Sequence, residues 1–99
     1  MDNCIIKNGV LKKYTGRSAH LDIPDGVKII GEYAFMQCAT VRSVTIPDGV
    51  TSIRSSAFWT CTSLKNITIP NSVKSIGYMA FYGCFKLTGV AIQNSVIRI

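Results

Sequence analysis

From Leu21 onward the chain repeats itself every 23 residues without a gap. Aligning 21–43, 44–66, 67–89 and the incomplete 90–99 places Leu21, Val44, Ile67 and Val90 in one column and Ile23, Ile46, Ile69 and Ile92 in another. Pro24, Pro47 and Pro70, then Val27, Val50, Val73 and Val96, then Ile30, Ile53, Ile76 and Ile99 follow in phase. Each full unit adds Ala-Phe (Ala34-Phe35, Ala57-Phe58, Ala80-Phe81), a cysteine three residues later (Cys38, Cys61, Cys84) and an aliphatic at Val41, Leu64 or Leu87. A unit this short cannot bury its apolar side alone. It has to stack on copies of itself, so that each recurring position becomes a continuous ladder inside a solenoid.

The repeat accounts for an unusual composition. The chain is 47% hydrophobic and 16% charged, against roughly 25% charged in an average soluble protein, because ladder and turn positions leave few places for charge. Such a chain is not a disordered tail, and 99 residues leave no room for separate cofactor and substrate domains. No apolar run approaches the ~18 to 20 residues of a membrane span, so no membrane insertion is expected. The opening Met1-Asp2-Asn3-Cys4-Ile5-Ile6-Lys7 lacks the basic n-region and long h-region of a signal peptide.

Within a unit, Val44-Thr45-Ile46 and Ile67-Thr68-Ile69 alternate as short strands do, aliphatics inward and Thr outward. Pro-Asp-Gly and Pro-Asn-Ser then turn the chain. The Val-x-x-Ile segment is expected to cross the far side, and Ala-Phe-x-x-Cys to form a tight turn or short helix leading back to the next strand. Strands stacked this way lie ~4.8 Å apart in a parallel sheet along one face.

The unit Leu64-x-x-Ile67-x-Ile69-Pro70-x-x-Val73-x-x-Ile76-x-x-x-Ala80-Phe81-x-x-Cys84 resembles the leucine-rich-repeat superfamily, specifically its BspA-like bacterial and protist surface-protein subtype. The resemblance covers residues 21–99. It implies a right-handed leucine-rich-repeat solenoid with a parallel β-sheet on one face and short turns or short helices on the other. Residues 1–20, with a hairpin around Asn8-Gly9, look like the N-terminal cap that precedes such repeats. Three full repeats (21–43, 44–66, 67–89) and a partial fourth (90–99) follow. The resemblance further implies cell-surface or secreted adhesion and ligand-binding modules, with no catalytic residues and no cofactor.

The side chains that invite a chemical reading are mostly absorbed by the repeat. Cys38, Cys61 and Cys84 recur with the period. On a stack, Cys38 and Cys84 would lie about 9.6 Å apart, two steps of ~4.8 Å, too far for one zinc ion. Neighbouring ladder Cβ atoms at ~4.8 Å also exceed the ~3.8 Å of a disulfide. These cysteines are therefore expected to be buried and reduced, acting as small hydrophobes, and with Phe35, Phe58 and Phe81 they are assigned as structural ladder residues. Cys4 lies outside the ladder. Asp25, Asp48, Asn71 and Asn94 form a turn column with too few oxygens for a hard cation. The single histidine, His20, sits near Ser18 without the orienting acid and oxyanion hole of a triad. Asn66-Ile67-Thr68 matches a glycosylation acceptor at a strand start.

Binding belongs where columns vary while ladders stay constant. On the sheet face these are Ser43, Asn66 and Gly89, then Thr45, Thr68 and Ala91. On the opposite side Met36, Trp59 and Tyr82, flanked by Tyr33, Tyr78, Met79 and Phe85, form a stripe suited to protein or to sugar rings. Residues 1–48 carry six basic and all five acidic groups, whereas 49–99 carry five basic groups and no acid. That asymmetry offers an alternative, weak polyanion binding by the basic half. Arg42 and Lys65 share a phase and Arg54 does not, so no continuous basic stripe is expected and nucleic acid is disfavoured. Finally, Val96, Ile97 and Ile99 lie at an open end. Self-association through 90–99, as a two-fold dimer or an assembly segment, is the other alternative.

Overall fold

A computed structural model describes residues 3–91. The chain opens with β1 (Cys4–Lys7) and β2 (Val10–Tyr14), an antiparallel hairpin. Its two loop residues, Asn8 and Gly9, have φ of 54° and 78°, the left-handed pair that a two-residue turn between twisted strands requires. Then come β3 (His20–Asp22), β5 (Ser43–Thr45), β7 (Asn66–Thr68) and β9 (Gly89–Ala91), parallel and in that order in one sheet. Leu21 pairs with Val44, Val44 with Ile67 and Ile67 with Val90, a register that steps by the sequence period.

The Val-x-x-Ile segments do more than cross the far side. They form β4 (Ile29–Ile30), β6 (Ser52–Ile53) and β8 (Ser75–Ile76), a second parallel sheet continued by the hairpin in the order β1-β2-β4-β6-β8. The expected one-sheet architecture is corrected accordingly: each rung contributes a strand to two sheets, and no described residue is helical. Strands two residues long are too short to show an alternating pattern in sequence. Their inward residues Ile30, Ile53 and Ile76 are nevertheless buried.

Tight turns over 32–37, 55–60 and 78–83 close the third side. They too are hydrogen-bonded from rung to rung: Phe35 N–H donates to Ala57 O (2.7 Å), Phe58 N–H to Ala80 O (2.8 Å) and Ser56 N–H to Tyr78 O (3.1 Å). Two positions in each turn are left-handed, Tyr33/Ser56/Met79 and Gln37/Thr60/Gly83, again one period apart. They let the chain double back so tightly that no helical turn forms.

Leu/Val, Ile, Val, Ile and Ala-Phe ladders meet in one interior. Phe35 and Phe58 stack at 4.7 Å with planes 8° apart, and Phe58 and Phe81 at 5.3 Å and 11°. The hairpin caps this core by imitating a rung. Leu11, fully buried, pairs with Ile30, and the Tyr14 ring lies 5.3 Å from Phe35, extending the aromatic stack by one member. Tyr14 Oη accepts a hydrogen bond from Ser18 N–H at 3.1 Å and runs across Gly16, where a Cβ would sit only 2.5 Å from it. Of the partial fourth repeat, β9 is the last described strand of the first sheet. Residues 92–99, including Val96, Ile97 and Ile99 of the expected self-association surface, lie outside the described residues.

Thr60 is the costliest of the left-handed positions. It is β-branched at φ 54°, and its Oγ1 is buried without a hydrogen-bond partner. Its methyl fills the space that Gly83 leaves on the next rung. Replacing Thr60 with Gly removes the left-handed penalty and the stranded hydroxyl, and gives up one methyl contact. Thr60→Gly is expected to stabilise the fold by about 1 kcal/mol, seen in thermal unfolding as a rise of roughly 4 to 8 °C.

Candidate functional site

The turn side presents the aromatic column. Gln37 N–H donates to Trp59 O at 2.7 Å and Thr60 N–H to Tyr82 O at 2.6 Å. These bonds hold the residues that follow each ladder Phe in register from rung to rung. The Trp59 and Tyr82 rings stack at 5.9 Å with planes 16° apart. Tyr82 is 52% exposed, Met36 is 41% exposed, and Trp59 is half-buried. Tyr33, Met79 and Phe85 are also exposed, Phe85 at 85%. Tyr33 and Met79 stand at left-handed turn positions, and the buried counterpart on the middle rung is the small Ser56. Tyr78 lines a separate open groove of about 540 Å³ with Glu32, Ser52, Arg54 and Ser75.

On the first sheet, Thr45 pairs with Thr68 and Ser43 with Asn66, and Thr45, Thr68 and Asn66 are exposed. This face also holds a constellation that the sequence reading missed. His20 Nδ1 lies 2.5 Å from Ser43 Oγ, and His20 Nε2 lies 3.0 Å from Asp22 Oδ1. The signal was available, since His20 stands one period before Ser43 and two residues before Asp22. Ser, His and Asp are joined here without the surroundings that acyl transfer needs. The His20 and Asp22 side chains are 52% and 76% exposed, so water has free access. The Ser43 N–H is already given to Ala19 O at 3.1 Å, which removes the nearest oxyanion donor.

The three ladder cysteines differ in burial. Cys61 is buried, while Cys38 and Cys84 are half-buried against the core, which corrects the expectation that all three are buried. Cys61 Sγ donates to Phe35 O at 2.8 Å and Cys84 Sγ to Phe58 O at 3.1 Å, so each thiol ties its turn to the rung before. The Cys84 thiol beside it and burial hold the Cys61 thiol far above its ordinary range. Among the described residues no cysteine is in a disulfide and no group of three His, Cys, Asp or Glu could hold a metal.

The basic groups are better gathered than their phases suggest. Arg42, Lys65 and Lys86 line one open groove with Ser63 and Thr88, whereas Arg54 lies on the other grooves. Phase counting separates Lys86 from the Arg42 and Lys65 column because it follows Cα positions, while long cationic side chains reach across two of them.

Two stacked parallel sheets, tight third-side turns and an aromatic ladder at a 23-residue step define a leucine-rich-repeat solenoid. The profile of the BspA type leucine rich repeat region (6 copies) matches residues 5–99, and the chain belongs to that family. The fold is similar to the Treponema pallidum leucine rich repeat protein TpLRR (29% identity, TM-score 0.84, over 88% of this chain and 43% of that one). It is also similar to a leucine-rich repeat protein of Bacteroides ovatus (28%, 0.81, 97% and 28%). A third similar structure is the pneumococcal vaccine antigen PcpA (26%, 0.78, 82% and 21%). The chain therefore spans less than half the length of each. No curated protein matches it significantly.

Cys61 is expected to be the last cysteine to react with iodoacetamide in the native protein at pH 8, because only its thiolate is nucleophilic. Peptide mass spectrometry should show its labelling trailing that of Cys38 and Cys84, with the difference vanishing in denaturant. The neighbouring Cys84 thiol and burial favour the protonated Cys61 thiol in the folded state, so this contribution to stability is complete below pH ~8.5 and falls as pH rises above it.

Proposed function

We propose that this chain is a non-enzymatic interaction module, the repeat region of a larger cell-surface or secreted protein, and that it grips a partner protein through the Met36, Trp59 and Tyr82 column. The observation that carries this reading is the outward Trp59 and Tyr82 stack. A tryptophan and a tyrosine held rigidly side by side present apolar area with little rotamer entropy left to lose. Such residues dominate interface energetics. The rungs behind them are fastened by backbone hydrogen bonds, so the column keeps its spacing when a partner docks. Leucine-rich-repeat relatives, one of them a vaccine antigen, support display on a surface.

The test is quantitative. A partner captured from surface extract and identified by mass spectrometry is titrated against the purified chain and against Tyr82→Ala and Trp59→Ala. The expected loss is at least about 10-fold in Kd for each, the range of interface anchor residues, with the native melting transition kept by Tyr82→Ala. Unchanged affinity in both variants, or loss only on removing residues 90–99, contradicts the reading and points to an assembly segment.

A further inference from the structure

The groove beside the first sheet carries one cation on each of three successive rungs. Arg42 directly precedes β5, Lys65 directly precedes β7, and Lys86 lies three residues before β9. Lys65 N–H donates to Arg42 O at 2.8 Å and Thr88 N–H to Lys65 O at 3.1 Å, which fixes 42, 65 and 88 as a vertical column. Where the third rung has Thr88 in that column, Lys86 supplies the charge from two positions upstream. The three cations, with the hydroxyls of Ser63 and Thr88, enclose about 610 Å³. No carboxylate among the described residues lines this space. Among the described residues the one ion pair joins His20 to Asp22, on other side chains. Like charges gathered without a counter-charge repel one another, and an anion placed among them relieves that repulsion.

We propose that this groove binds an acidic polysaccharide, a chain bearing a sulfate or carboxylate on its sugars, laid along the solenoid axis with one anion per rung. The rungs advance by ~4.8 Å, close to the advance of one pyranose along an extended chain. A DNA strand offers phosphates without the free sugar hydroxyls that Ser63 and Thr88 would meet, and in a duplex it advances by ~3.4 Å per phosphate on a rigid cylinder, a mismatch that grows from rung to rung. Arg42 offers a planar fork matched to sulfate and carboxylate oxygens. Lys65 and Lys86 bring adaptable point charges, and Ser63 and Thr88 bring hydroxyls that pair with sugar hydroxyls. The absence of any acid from 49–99 adds a long-range attraction for the approaching chain. This site is independent of the aromatic column.

The test uses fluorescence anisotropy of the intact chain with four labelled probes. They are a heparin-derived octasaccharide, a polygalacturonate oligosaccharide, a neutral dextran of equal length, and an oligo-dT of equal charge. Both acidic saccharides should bind and the dextran should not. The logarithm of the association constant should fall with the logarithm of salt at a slope of about −2, as three ionic contacts give. Replacing Arg42, Lys65 and Lys86 together by Gln should weaken saccharide binding at least tenfold. The charge-matched set Lys13→Gln, Lys28→Gln and Lys74→Gln should change it less than twofold. All six side chains are exposed, and thermal melts should show both variants folded. Lys65→Glu alone should weaken binding in the same direction, which keeps the test decisive if the triple variant fails to fold. Equal losses in the two sets, oligo-dT binding as tight as the saccharides, or no saccharide binding would overturn the proposal.

Discussion

A rung of this solenoid cannot satisfy its own backbone. Each rung holds two strands of two or three residues and a turn in which only alternate N–H groups, such as those of Ala34, Met36 and Cys38, find a carbonyl within the same rung, so the strands and the remaining turn groups must be paired with the rung above or below. That is what happens on all three sides. Tyr14 and Phe35 donate to Ala34 and Ala57 on the turn side, Gly31 and Arg54 donate to Leu11 and Ile30 at the second sheet, and Arg42 and Lys65 donate to Ala19 and Arg42 beside the first. A one-residue slip on any side would misplace the aliphatic ladders and strand backbone groups in a dry interior, a penalty of ~1 to 3 kcal/mol for each group left unpaired. The constant 23-residue period follows from this requirement. So does the form of the cap, since the hairpin has to offer Leu11 to one sheet and Tyr14 to the aromatic stack.

The same constraint makes the surface. Side chains that leave the rungs at one phase are delivered in a row at the strand spacing, whatever their chemistry. Trp59 meets Tyr82 this way, Ser75 Oγ meets Ser52 Oγ at 3.2 Å, and His20 meets Ser43. A scaffold of this kind assembles neighbours without evolving a pocket for them, which suits extended partners better than small substrates. The aromatic column and the cationic groove are two such rows with different chemistry.

The ladders and the first sheet were legible because their residues are large, apolar and periodic. Leu21, Val44 and Ile67 identify strands, and their phase alone gives the register. The second sheet was not legible, since Ile29-Ile30 and Ser52-Ile53 are too short to distinguish a strand from a crossing segment. Nor were the left-handed positions: Tyr33, Gln37, Ser56, Thr60 and Met79 are not residues that announce a positive φ, and only Gly83 among these sites is. At the sites, the stacking of Trp59 on Tyr82 could be read from phase, because flat rings at equal phase have one way to meet. The gathering of Lys86 with Arg42 and Lys65 could not, because it depends on where flexible side chains end and not on where they start.

The central claim is that the rungs form one cooperative unit, joined on three sides and through the aromatic stack. Phe58, fully buried between Phe35 and Phe81, is the member whose loss tests it most directly. Residue-resolved hydrogen exchange of Phe58→Ala against the parent chain should show protection lost together at the Leu21, Val44 and Gly77 amides, the last bonded to Ile53 O at 2.7 Å, by about 3 to 5 kcal/mol. A loss below about 1 kcal/mol, or one confined to the turn at 55–60 while Leu21 and Gly77 keep their protection, would contradict the account.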